Sequence, residues 1–169
     1  YTRNNPINLI DPWGLWSENV HHDILEEIFS NCPDVLKTMI NASDYVDTLQ
    51  SSKYSYLHSM RQSGDSVDDA KTIIALLISG ARWQYNNTGN TFVIGQALHA
   101  IMDSTSSLHV NQQTGEPLTF NPLSSDPINH YFSEGMEEYL PIKSEVMTRI
   151  KLLINIQLGN IIDKICCPK

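Results

Sequence analysis

Gln96-Ala-Leu-His-Ala-Ile-Met-Asp-Ser-Thr-Ser-Ser-Leu-His-Val110 sets His99, Asp103 and His109 at intervals of four and six residues. A helix over residues 92–104 puts His99 and Asp103 about 40° apart around the axis and one turn along it. Both side chains then reach one cation. The Ser104-Thr105-Ser106-Ser107 run that follows is poor helix, and it suits a break that swings His109 towards a neighbouring ion. Imidazole nitrogen combined with carboxylate oxygen suits zinc, and mixed sites of this kind are more often catalytic than structural. One H-x3-D pair is a weak signal by itself.

The rest of the chain repeats it. Of six histidines, five take ligand-like positions. His130 and Glu134 again stand four apart, on a helix that Asp126 caps and Pro127 opens. Asp44 lies in a further predicted helix, fourteen residues before His58. His21 falls on the inward stripe of a first helix with Ile24, Leu25 and Ile28, where a bare imidazole is costly without a partner. His22, on the opposite face, reads as a surface residue.

Taken together, these motifs resemble the zinc-dependent phospholipase C and S1/P1 nuclease superfamily. The family motif H-x3-D-x5-H, followed later by H-x3-(E/D), matches His99, Asp103 and His109, then His130 and Glu134. An upstream aspartate and histidine match Asp44 and His58, and the family's N-terminal tryptophan and nearby histidine match Trp16 and His21. The resemblance spans residues 16–134 and departs from the family at Ser107, where a proline is usual. It implies an all-α fold, a compact multi-helix bundle around three zinc ions. By resemblance Asp44, His58, His99 and Asp103 hold the first ion, and His109, His130 and Glu134 the second. Trp16, His21 and the other oxygen of Asp103 hold the third. Such ions lower the pKa of bound water to about 7 and neutralise phosphoryl oxygens, with Asp44 as the expected general base.

The first fifteen residues carry a separate resemblance. Tyr1-Thr-Arg-Asn-Asn-Pro-Ile-Asn-Leu-Ile-Asp-Pro-Trp-Gly-Leu15 looks like the end of an Rhs/YD-repeat core, with its closing D-P-x-G-L. That family encloses a C-terminal toxin in a β-shell and cuts itself after the leucine, with an aspartate, here Asp11, taking part. The implied organisation is a core remnant over 1–15 and a zinc-dependent hydrolase toxin over 16–169, cut at Leu15–Trp16. Cutting there frees the Trp16 amine that the zinc family uses. The implied partners are the Rhs shell of the parent polypeptide and a cognate immunity protein. The implied route is secretion into a target cell by a specialised system.

Composition is consistent with a single effector domain of 169 residues. A net charge of −8 argues against broad phosphate neutralisation, so no stable nucleic-acid complex is expected. Three zinc ions would bring that charge to about −2. No signal peptide or membrane-spanning run is visible, and Cys32, Cys166 and Cys167 suggest neither a disulfide framework nor a zinc site.

Periodicity predicts helices over 17–30, 34–50, 66–85, 92–104, 127–139 and 142–164, jointed at Pro33, Gly64, Gly89 and Pro141. Ser66 and Asp69 form a capping box, and Ile73, Leu76, Leu77 and Ala81 a predicted core stripe. Residues 110–126 read as a long polar loop beside the metal site. The favoured substrate is a phospholipid head group, because the resemblance places Glu134 and Tyr45 with the phospholipase branch. Tyr54 and Tyr56 could extend an aromatic cage around a quaternary ammonium. The alternative is an S1/P1-like nuclease acting on single strands, which the five-residue Trp16–His21 spacing favours.

Overall fold

The computed structural model describes residues 18–120 and 136–167. The expectations placed on Asp11, Leu15, Trp16, His130 and Glu134 lie outside these residues, as does most of the helix expected over 127–139.

The described residues are mainly helical. Helix α1 (Glu18–Ile28) buries Val20, His21, Ile24 and Leu25 on one stripe and begins with an acid, which suits the positive end of the helix dipole. Helix α2 (Pro33–Asp47) starts with Pro33, where no N–H is needed, and turns Met39, Ala42, Ser43 and Val46 inward. A 3₁₀ helix (Ser52–His58) follows, ending in Ser59 with φ +52°, the one left-handed non-glycine among the described residues. The Ser59 hydroxyl donates to the Ala100 carbonyl.

Helix α3 (Val67–Thr88) opens as expected, with the Asp69 N–H donating to Ser66 Oγ at 3.0 Å. It closes at Gly89, whose φ of +71° a side chain would strain and whose N–H donates to the Tyr85 carbonyl. Its core stripe differs from the predicted one. Ala70, Ile78 and Ala81 are buried, with Ile74, Leu77 and Tyr85 packed alongside, whereas Ile73 and Leu76 are exposed. The apolar residues run almost continuously around this part of the helix, so periodicity could not choose between two overlapping stripes.

Helix α4 (Phe92–Asp103) is the axis of the fold. From Ile94 to Asp103 every residue but Gln96 is buried, the pattern of a helix surrounded on all sides. It packs against α2, α3, the 3₁₀ helix and helix α5 (Met136–Gln157). Its contact with α2 depends on Gly95, where an added Cβ would lie 2.5 Å from the Ala42 Cβ and 3.2 Å from the Met39 carbonyl oxygen. Gly95→Ala is therefore expected to force α2 and α4 apart and cost about 1–3 kcal/mol, read as a lower urea midpoint at unchanged slope.

Four further expectations are revised. Pro141 lies inside α5 rather than at a joint, since a proline removes only one helix hydrogen bond and the buried face (Tyr139, Val146, Ile150, Ile154) holds the helix across it. The break comes instead at Gly159, φ +63°, which separates α5 from helix α6 (Ile161–Cys166), so 142–164 is not one helix. Residues 110–117 form a small antiparallel hairpin, β1 (Val110–Asn111) with β2 (Glu116–Pro117), and Thr119 bridges to Arg61. Finally, Cys32 and Cys166 are disulfide-bonded, their Cα atoms 5.3 Å apart and 134 residues apart in sequence. Only the adjacent Cys166–Cys167 pair could be judged from spacing, and Cys167 is a free, exposed thiol.

Candidate metal centre

Four elements deliver five histidine and aspartate side chains to one buried point. His21 comes from α1, His58 from the end of the 3₁₀ helix, His99 and Asp103 from α4, and His109 from the turn after α4. All five are buried. Asp103 is the hub. Its Oδ1 lies 3.0 Å from His21 Nε2, and its Oδ2 lies 3.0 Å from His99 Nε2, 3.2 Å from His58 Nδ1 and 3.4 Å from His109 Nδ1. The polar turn after Asp103 reverses the chain tightly enough to return His109 to the same carboxylate, the Ser104 N–H donating to Ala100 O and that of Ser106 to Asp103 O.

Asp44 does not join them. Its Oδ1 accepts from His22 Nε2 at 2.8 Å, outside the cluster. Asp47, three residues on, supplies the second carboxylate, 3.6 Å from His99 Nε2 and 3.5 Å from His21 Nδ1. Three residues turn the side-chain direction by about 60° on a helix, enough to move an acid from the flank of the α1–α2 contact to its interior. Asp47 stands eleven residues before His58, outside the fourteen-residue spacing that pointed to Asp44, so nothing in the sequence singled it out.

Two other groups escaped sequence reading. Ser43, buried on α2, has its Oγ 2.9 Å from His99 Nδ1. A hydroxyl both donates and accepts, so Ser43 can pair with either tautomer of His99, and it orients Nε2 towards the two aspartates. Ser59, through its bond to Ala100, ties the residue after His58 to α4. Both look like ordinary helix and turn serines in sequence. Ser43→Ala is expected to weaken metal binding about 10–100-fold while the far-UV circular dichroism stays unchanged. Unaltered affinity by competitive chelator titration would remove Ser43 from the site.

Burial penalises charge at every position here, and the cluster answers with close opposite partners. At His21 burial works against the proton, but hydrogen bonds and Coulomb attraction from Asp103 and Asp47 outweigh it and raise the pKa to about 10. Burial dominates at His99 and keeps it below the ordinary histidine value despite both aspartates. Burial would raise Asp103, yet His99 and His109 foremost hold it well below the usual carboxylate range. The same balance, with His99 and His21 as the partners, lowers Asp47.

The donor set fits a small divalent cation. Ligands about 2.0–2.1 Å from a tetrahedral zinc stand about 3.3 Å from one another. His58 Nδ1, His99 Nε2 and Asp103 Oδ2 form a triangle with sides of 3.2, 3.0 and 3.2 Å, and Asp47 Oδ1 stands 3.6 Å from His99 Nε2. Three imidazole nitrogens converge on one carboxylate oxygen, more than its lone pairs can each receive as donors. His58 Nε2 is buried with no hydrogen-bond partner among the described residues. Two triads, His21–His99–Asp103 and Asp47–His58–His99, have ligand atoms within 4.8 Å of one another and share His99.

The three tyrosines of the expected aromatic cage each take a different partner. Tyr45 is exposed and lies against Phe92 with ring centroids 5.8 Å apart. Tyr54 carries the Lys53 ammonium 4.6 Å above its ring, and the Tyr56 hydroxyl donates to Asp65. The chain matches no protein-family model, no curated protein and no solved structure.

Proposed function

We propose that this chain is a zinc-dependent phosphodiester hydrolase of phospholipase C type, acting on phospholipid head groups. The observation that carries the reading is the convergence of His58, His99 and Asp103 at 3.0–3.2 Å from one another, with Asp47 3.6 Å from His99, inside a helical bundle. Those four would hold one ion. His21 and the second oxygen of Asp103 would hold another, and His109 would contribute to a third with His130 and Glu134. Zinc supplies Lewis acidity there, lowering the pKa of water and offsetting charge on phosphoryl oxygens.

The protein's own groups do the rest. Asp47 is the one partly exposed member, with a side chain 24 % accessible, so substrate phosphate would approach from its side. Its carboxylate, rather than that of Asp44, would take the proton of the attacking water. Asp103 stays ionised and would serve as a ligand, while the buried histidines keep their nitrogens oriented without solvent competition. The phospholipase C/P1 nuclease-like bundle, the Rhs-shell origin, delivery by a specialised secretion system and the immunity partner belong to the same proposal. No described helix is long and apolar enough to cross a membrane, so contact with lipid would be made from one side.

Metal-loaded protein assayed in parallel on phosphatidylcholine and single-stranded DNA tests the reading. Release of phosphocholine with little DNA cleavage is the expected result, and Tyr45→Ala should raise KM for choline lipids more than for a soluble phosphodiester. DNA cleavage without lipid hydrolysis transfers the assignment to an S1/P1-like nuclease, for which the stackable rings of Tyr45 and Phe92 speak.

A further inference from the structure

The two neighbouring histidines of α1 each meet an aspartate of α2. His21 reaches Asp47 in the interior, and His22 reaches Asp44 on the outside. At the outer rung a third donor joins, because Glu18, one turn before His22, brings its Oε1 to 3.9 Å from the same Nε2. From the close meeting of Glu18, His22 and Asp44 on the outer flank of the α1–α2 contact, we infer a second, exchangeable site for a divalent transition-metal ion, separate from the buried cluster.

The geometry accommodates a cation in place of the His22–Asp44 hydrogen bond. His22 Nε2 stands 2.8 Å from Asp44 Oδ1 and 3.9 Å from Glu18 Oε1, values on either side of the roughly 3.3 Å between ligands of a tetrahedral zinc. The three ligand atoms lie within 4.8 Å of one another. Small side-chain rotations equalise these distances without moving the backbone. Two carboxylates face one imidazole, so a neutral or singly protonated histidine leaves negative charge that a divalent ion offsets. The imidazole selects zinc, cobalt or nickel over calcium and magnesium, which prefer all-oxygen shells.

Exposure separates this site from the inner one. The side chains of His22, Asp44 and Glu18 are 26 %, 38 % and 48 % accessible, so water completes the shell and the ion exchanges freely. The helices that carry it are held by the buried contacts of Val20, Ile24, Met39 and Val46, so the donors are brought together before any ion arrives. An ion here clips α1 to α2 beside His21 and Asp47. The site does not depend on what the buried cluster binds.

The test is a titration of Zn(II) alone into the full chain labelled with ¹⁵N in its histidine rings, with the His22 signal identified by its loss in His22→Gln. The His22 ring resonances are expected to move with saturable binding. In Glu18→Gln/Asp44→Asn, whose amides keep shape and remove charge, the midpoint should rise at least tenfold with circular dichroism unchanged. A His22 signal that stays still through millimolar zinc, or moves at the same concentration in the double variant, overturns the outer site. The His99 signal reports the buried cluster in the same spectra, so failure of either site is read independently of the other.

Discussion

Replacing Asp103 by alanine should remove tight metal binding, lower hydrolysis on the order of 10²–10³-fold or more, and destabilise the metal-free fold by about 3–5 kcal/mol. Its carboxylate touches His21, His58, His99 and His109, so the substitution strips four imidazoles of a common partner. It also leaves the His21 charge, normally held by Asp103 and Asp47, buried with one acid fewer. Elemental analysis and urea unfolding in chelator read the two effects separately. Asp103→Asn, which keeps the volume, should lose metal with a smaller loss of stability. Wild-type zinc content and turnover in Asp103→Ala would remove the cluster from the chemistry. The same assays rank the upstream acids: Asp47→Asn should cost more activity than Asp44→Asn, and the opposite ranking would return Asp44 to the inner ligand set.

Breaking the Cys32–Cys166 bond should have the second-largest effect. It joins the start of α2 to the end of α6 across 134 residues, and in the chain-entropy account a loop that long restricts the unfolded chain by about 5 kcal/mol. Cys32→Ser is expected to lower stability by about 2–5 kcal/mol, with the same shift when wild type is unfolded in reductant. Identical urea midpoints with and without reductant would show that the bond adds nothing. Cys167, exposed and adjacent, gives a free-thiol count of one in the oxidised protein and three after reduction.

Local rules made much of this protein legible before any fold was known. The capping box at Ser66, the helix stop at Gly89 and the proline start of α2 depend on backbone conformations that one or two residues impose, and all three stand where the sequence puts them. His99 and Asp103 face one way because four residues is one helical turn, a fact internal to α4. The inward face of α1 placed His21 correctly for the same reason. What required the tertiary structure was every choice between neighbours. Asp47 rather than Asp44 turns inward because its side of α2 is the one that meets His21 and His99, and Ser43 reaches His99 because Gly95 lets α4 approach α2 so closely. The buried stripe of α3, the continuation of α5 through Pro141 and the meeting of Cys32 with Cys166 are decided by which surfaces come to lie together. Periodicity records that a helix has an inner face, but the free energy of burial acts between elements, and only their packing selects the residues that share it.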